Sequence, residues 1–326
     1  MRDNINILIT SAGQRVSLVK AFQTELRKVF SNAKVLTVDL NPILAPACHV
    51  SDGFEKITRV TDSNYISQLL EICRNYNVGI IIPTIDTELC VLAENKDLFL
   101  ENGIVPVISS FEFVKKCRDK REINKFFVEH GIDIPRKIDK NKPEFPLFIK
   151  PYDGSLSKDT FLINSHSDLT DYHYDNPKLM FMEYINPEEN DEFTVDAYYN
   201  RKSELVCAVP RKRIFVRAGE INKGVTKKNE LLKLLKEKLQ YIEGAIGCLT
   251  MQFFLNRETG RAVAIEINPR FGGGYPLSYL ASANFPLFII KEYLLNETIG
   301  EYNEDWKNNM LMLRYDAEIL VENYEG

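Results

Sequence analysis

The sequence predicts a mixed α/β and α+β protein, a doubly wound parallel-sheet unit followed by shorter antiparallel strands. Two observations carry this. Over the first hundred residues, continuous apolar runs alternate with amphipathic stretches of helical spacing. Beyond Gly131, prolines at 135 and 143 open a stretch of short strands with mixed spacing and hairpin-like links. No internal repeat or low-complexity segment complicates the pattern.

The elements follow in order. Residues 5–10 form a β-branched strand, and 16–29 repeat Val16, Val19, Phe22, Leu26 and Val29 at helical spacing. Residues 34–38 read as a second strand closed by Asp39, 65–76 as a helix, and 78–82 as an apolar strand stopped by Pro83. A helix over 87–100 and a strand over 104–108 complete the first unit near residue 113. Helices over 111–117 and 120–130 follow, the second ended by Gly131. Strands are expected at 147–150, 161–164, 179–183, 193–199 and 205–209. A helix at 231–246, a hairpin of 248–255 with 262–267, a helix at 286–295 and a strand at 310–321 complete the chain.

The 326 residues suit two or three packed domains, and 44% hydrophobic with 27% charged residues excludes a disordered chain. A net charge of -5 argues against a nucleic-acid partner while leaving room for a local basic pocket. None of the six cysteines forms a CxxC pair, and none of the four histidines has zinc-ligand spacing to one. Free thiols, no signal-peptide pattern and no run of ~20 apolar residues point to the cytoplasm and away from a membrane.

A dinucleotide site is the first candidate, because a strand, Ser11-Ala12-Gly13 and a helix open the chain and Asp39 ends the second strand. A pyrophosphate fingerprint needs three glycines and this turn has one, so Gly13 reads as a tight turn. Asp86 and Glu88 follow the end of a parallel strand, where they shape either a cleft or a solvated loop.

Four later segments carry more chemistry together than alone. Lys150 ends an apolar strand before Gly154, Ser155 and Ser157, a cation and loop suited to phosphate, though equally a solvated lysine before a turn. The run Glu183-Tyr184-Ile185 with Glu192 suits an adenine edge and a ribose, or an ordinary strand and acidic loop. Glu266 and Asn268 share one face of a strand because side chains alternate, and Gln252 lies on the partner strand; these oxygens suit Mg²⁺. Arg270 precedes Gly272-Gly273-Gly274, which reads either as a phosphoryl-stabilising cation beside a backbone that a ligand can approach or as a flexible loop.

In this order the motifs Asp119-Lys120, FIKP with its Gly/Ser loop, MEY, EFTVD, TMQFF and EINPR resemble the ATP-grasp superfamily. The chain looks most like short proteins similar to the carbamoyl-phosphate synthase large subunit. The resemblance implies an ATP-grasp fold with an N-terminal Rossmann-like (pre-ATP-grasp) domain at 1–113, a central or lid subdomain at 114–182 and a C-terminal subdomain at 183–326.

Carried over by position, the resemblance implies that Lys120 and Lys150 bind phosphate with Gly154, Ser155 and Ser157. Glu183, Tyr184 and Ile185 hold the adenine, and Glu192 the ribose. Gln252, Glu266 and Asn268 hold the metal, Arg270 acts in catalysis with Lys150, and Arg211, Arg213 and Arg217 face an anionic substrate or lie on a solvated loop. It implies ATP with Mg²⁺ (or Mn²⁺) as cofactors and a small-molecule carboxylate and amine as substrates. It also brings the expectation of a homodimer. One departure is that Leu156 and Asp159 stand where glycine is common, implying a stiffer phosphate loop. Two rival functions remain: a nucleotide-binding regulator without strong activity, and a single-unit enzyme acting on bicarbonate.

Overall fold

The structure, a computed structural model, describes residues 5–154, 158–217 and 219–324. The first sheet contains β1 (Asn6–Thr10), β2 (Val35–Asp39), β3 (Phe54–Lys56), β4 (Val78–Ile82) and β5 (Val105–Pro106). All pairings are parallel, in the order β3-β2-β1-β4-β5. Because β1 and β4 are neighbours, the chain winds outward in both directions from that pair. A crevice opens beyond their carboxyl ends, the usual ligand position in such sheets.

Both faces of this sheet are covered, which explains the unbroken apolar strands. One face packs Leu8, Leu36 and Ile81 against Leu69, Cys73 and Leu92. The other joins Ile7, Ile9 and Ile80 to Phe22 and Leu26 of the helix Val16–Val29. That second cluster continues without a break into the core of the later strands, where Phe22 meets Phe271 edge-on at 5.8 Å.

The second sheet is small and antiparallel: β6 (Leu147–Pro151), β7 (Phe161–Ile163) and β8 (Leu179–Glu183), in the order β7-β6-β8. Leu147, Ile149, Ile163 and Phe181 form its own core. The third sheet has six strands: β9 (Asn190–Tyr199), β10 (Leu205–Arg217), β11 (Glu220–Thr226), β12 (Gly247–Asn256), β13 (Ala262–Asn268) and β14 (Leu311–Leu313). All its pairings are antiparallel, in the order β13-β12-β9-β10-β11-β14. Helices Phe111–Arg118 and Lys120–Glu129 belong to its core, with Phe127 against Phe253 at 6.2 Å. Gly131 takes the left-handed φ of 65° that ends the second of these helices.

The mixed α/β and α+β class stands, but several boundaries move. The helix expected over 231–246 stops at Lys238. Its remainder is held by the turn between β9 and β10, where Leu205 N donates to Gln240 O at 2.8 Å and Ile242 N to Ser203 O at 3.1 Å. Backbone pairing overrides helical spacing there. The helix expected over 87–100 divides at Asn95 into Asp86–Glu94 and Lys96–Glu101. The strand expected over 310–321 forms only at Leu311–Leu313, pairing with Lys223–Val225. The segment carrying Arg211, Arg213 and Arg217 is no loop: β10 runs through all three and turns back as β11. Among the described residues, no helix is long and apolar enough to cross a membrane.

Candidate functional site

The centre of the site is one face of the six-stranded sheet. Antiparallel register sets Gln252 opposite Glu266 and Thr250 opposite Asn268, then Thr194 opposite Gln252 and Arg211 opposite Thr194. Opposed residues share a face and alternate residues return to it. Glu266, Asn268, Gln252, Thr250, Thr194 and Arg211 therefore line one wall, together with Glu192 and Arg213. The small sheet and the crevice beyond β1 and β4 supply the other walls, contributing Phe148, Lys150 and Gly154 on one side and Arg15, Thr84 and Asp86 on the other. The cleft so enclosed is about 600 Å³, the size of a small-molecule pocket.

Lys150 points in from β6 and is 9% exposed. Burial dominates its titration and lowers it to about 8; nearby Lys120 pushes the same way and Glu266 opposes. Lys120 is the first residue of helix Lys120–Glu129, whose N-cap Asp119 accepts from Arg121 N at 2.8 Å. Its Nζ donates to Gly154 O at 2.6 Å and lies 3.6 Å from Glu266 Oε2. Two cations thus converge on the oxygen-bearing strand from separate elements. Ser155 and Ser157 lie outside the described residues. Asp159 takes a left-handed φ of 59°, the conformation glycine favours, and its carboxylate accepts from Tyr172 Oη.

Asn268 Nδ2 donates to Glu266 Oε1 at 2.8 Å, turning its amide nitrogen toward that carboxylate. Among the described residues no group of three or more His, Cys, Asp or Glu forms a metal cluster. One carboxylate with two amides is nevertheless a hard oxygen set that fits Mg²⁺ or Mn²⁺ when nucleotide phosphates complete the coordination.

Arg270 is fixed at both ends. Its guanidinium meets Asp86 through Nε–Oδ1 at 3.0 Å and Nη2–Oδ2 at 2.6 Å, while its carbonyl accepts from Thr250 Oγ1 at 2.9 Å. Asp86 thus belongs to the cleft rather than to a solvated loop. Glu88, the other acid of that pair, is fully buried. It accepts from Thr84 N at 2.8 Å, Ser11 Oγ at 2.9 Å and Tyr65 Oη at 3.1 Å, tying together the ends of β1 and β4. Desolvation raises its pKa against those hydrogen bonds.

Glu192 faces Arg213, with Oε1–Nη1 at 3.1 Å, and burial raises its pKa although Arg213 draws it down. Arg211 is 1% exposed and pairs with Asp196 through Nε–Oδ2 at 2.7 Å and Nη2–Oδ1 at 2.8 Å; Ser278 Oγ also donates to Asp196, at 2.6 Å. Arg217 stands apart, exposed in an ion pair with Asp316 and absent from the cleft lining. Glu183, Tyr184 and Ile185 also lie outside that lining. Glu183 caps the junction with β8, accepting from Arg136 N at 3.0 Å and Arg261 Nη1 at 3.2 Å.

Sequence reasoning missed Arg15, Thr194 and Glu220, all of which line the cleft. Thr194 was legible in principle, two residues from Glu192 on the same strand face. Arg15 and Glu220 carry no motif and reach the cleft through sheet topology and a hairpin turn.

Residues 175–314 match the family described as ATP-grasp in the biosynthetic pathway with Ter operon, and residues 7–108 match the PylC-like N-terminal domain. The carbamoyl-phosphate synthase of Methanobrevibacter smithii is 25% identical over 276 residues, covering 78% of this chain and 73% of that protein. The biotin carboxylase of Campylobacter jejuni, solved as a β,γ-ATP complex, superposes with a TM-score of 0.71 at 15% identity, covering 94% of this chain and 74% of that one. Pyruvate carboxylase of Rhizobium etli gives 0.69 at 14% identity over 94% of this chain, which spans only 30% of that protein. Residues 175–314 are thus similar to an ATP-grasp family, and the chain shares the fold of these two solved carboxylases.

Proposed function

We propose that the protein is an ADP-forming, Mg-ATP-dependent ligase that activates a carboxylate as an acyl-phosphate and couples it to an amine or ammonia. The observation that carries this reading is the convergence of Glu266, Gln252 and Asn268 on one sheet face with Lys120 and Lys150 opposite and Arg270 beside them. A cation set facing an oxygen-donor set is what phosphoryl transfer from a nucleotide requires, because its catalysis is positioning and charge stabilisation.

In this reading Lys120 and Lys150 hold the nucleotide phosphates and Glu192 takes the ribose. Glu266 and Asn268, with Gln252, would hold the divalent cation, which offsets phosphate charge when bound. Arg270, oriented by Asp86, offsets charge as a carboxylate oxygen attacks the γ-phosphorus and the bond to ADP breaks. The amine nitrogen then attacks the acyl carbon, the carbon–oxygen bond to phosphate breaks, and the nitrogen loses a proton. No side chain need act as a nucleophile.

The test is phosphate release from Mg-ATP across a panel of carboxylates, each with amino acids or ammonia, beside Glu266→Ala. Release that requires both partners and vanishes in the variant supports the ligase. Release with bicarbonate and ammonia alone would favour the carbamoyl-phosphate synthase type of reaction, in keeping with the relative from M. smithii. Nucleotide binding without release for any pair would favour a regulatory role.

A further inference from the structure

The six-stranded sheet ends on β14, and among the described residues no strand pairs with the far side of it. Arg314 N donates to Asn222 O at 3.0 Å, and Met312 stands opposite Gly224. An antiparallel ladder turns alternate residues toward their neighbour, so Leu311 and Leu313 present their N–H and C=O groups to the open side. Their side chains are 54% and 61% exposed, and Leu313 shares its face with Lys223 and the exposed ring of Phe215. Sheet edges are commonly guarded by charge, proline or a covering element. Leu311 and Leu313 supply neither charge nor proline.

The residues after β14 carry more strand-forming sequence than the fold uses. Pairing stops after Arg314 because β11 begins at Glu220, where the hairpin turns back to β10. Asp316 meets Arg217 at that hairpin end. Beyond it, Ile319, Leu320 and Val321 form an apolar run of strand-favouring residues. Leu320 is nevertheless 91% exposed, and Tyr315 and Tyr324 are exposed with it. A contiguous apolar surface of this kind marks an interaction site.

Charge selects the occupant. Residues 315–324 hold Asp316, Glu318 and Glu322 and no cation. Just before β14, Lys307 is exposed, while Lys227 Nζ donates to Asn309 Oδ1 at 2.8 Å and Lys228 Nζ to Glu304 O at 2.7 Å, neither to a carboxylate. Antiparallel pairing of β14 with a second β14 brings the two groups together. With Leu313 on the two-fold axis, Leu311 of one copy faces Tyr315 of the other, and each acidic tail runs back past the lysines of its neighbour.

We propose that the open edge of β14 is an interface between two copies of this chain, joined antiparallel into one continuous sheet, with the acidic tail of each copy over Lys227, Lys228 and Lys307 of the other. The two-fold arrangement is closed and stops at two copies. Which face the copies share is carried by this edge and not by the family resemblance, and nothing in it depends on the ligase reading.

The experiment is sedimentation velocity of the full chain over a concentration series, with the melting temperature of each variant compared with the parent's. A monomer–dimer equilibrium is expected. Leu313→Pro removes an outward N–H and leaves the bonds to β11 in place, so it is expected to raise the dimer dissociation constant at least about tenfold. Glu318→Lys changes only the exposed tail and sets like charges together, and is expected to raise the constant about threefold or more. A parent that stays monomeric up to about 100 μM, or a dimer whose dissociation constant neither variant moves, overturns the proposal. If Leu313→Pro melts well below the parent, Glu318→Lys decides by itself: an unchanged constant rules this interface out, and a raised one supports it.

Discussion

Arg270 and Asp86 stand 184 positions apart in the chain and meet in a two-pronged ion pair at 3.0 and 2.6 Å. Asp86 begins the helix after β4 of the parallel sheet, and Arg270 follows β13 of the six-stranded sheet. The pair joins the two sheets across the cleft and fixes the orientation of Arg270, two residues beyond Asn268.

Asp86→Asn keeps the shape of the side chain and removes its charge, so Arg270 loses a charge-assisted pair worth about 1.5–3 kcal/mol. The expected outcome is a fall in kcat for phosphate release of about tenfold or more, with the KM for ATP unchanged. A kcat within twofold of the parent would show that Arg270 is positioned without Asp86.

Lys150 gives the site a pH dependence. Burial lowers it to about 8, so in the free protein the proton leaves near that pH. Nucleotide phosphates favour the ammonium form, so binding draws a proton in. ATP affinity is therefore full below pH 8 and weakens as pH rises through it, approaching about tenfold per pH unit. Lys150→Arg, charged throughout, should flatten the profile between pH 7 and 9. An affinity in the parent that is level across this window would contradict the assignment of Lys150 to phosphate.

Asp196 carries a stability prediction. It is fully buried and accepts two hydrogen bonds from Arg211 and one from Ser278. Asp196→Ala leaves the Arg211 charge buried without a partner and is expected to cost about 3–5 kcal/mol in urea unfolding. Arg211→Met in the same chain should recover part of that loss. A cost below about 1 kcal/mol would mean that water reaches the guanidinium.

The amino-acid sequence by itself determined most of the layering. The apolar runs of β1, β2 and β4 required a sheet covered on both faces, and helix Val16–Val29 formed over the residues its spacing marks. Period-two alternation placed Glu266 and Asn268 on one face before any fold was known. Local rules failed where backbone partners came from far away: residues 240–242 left their helix to pair with the β9–β10 turn, and the basic segment from Arg211 became a hairpin. Only the tertiary structure decided which charges are spent. Arg217 lies outside the cleft on Asp316, Arg211 is buried on Asp196 with one donor left over, and Arg15, a residue without a motif, reaches the cleft through the order of strands in the first sheet. The physical reason is range. Periodicity and turn chemistry act within a few residues along the chain, whereas a charge is defined by what packs against it across the fold.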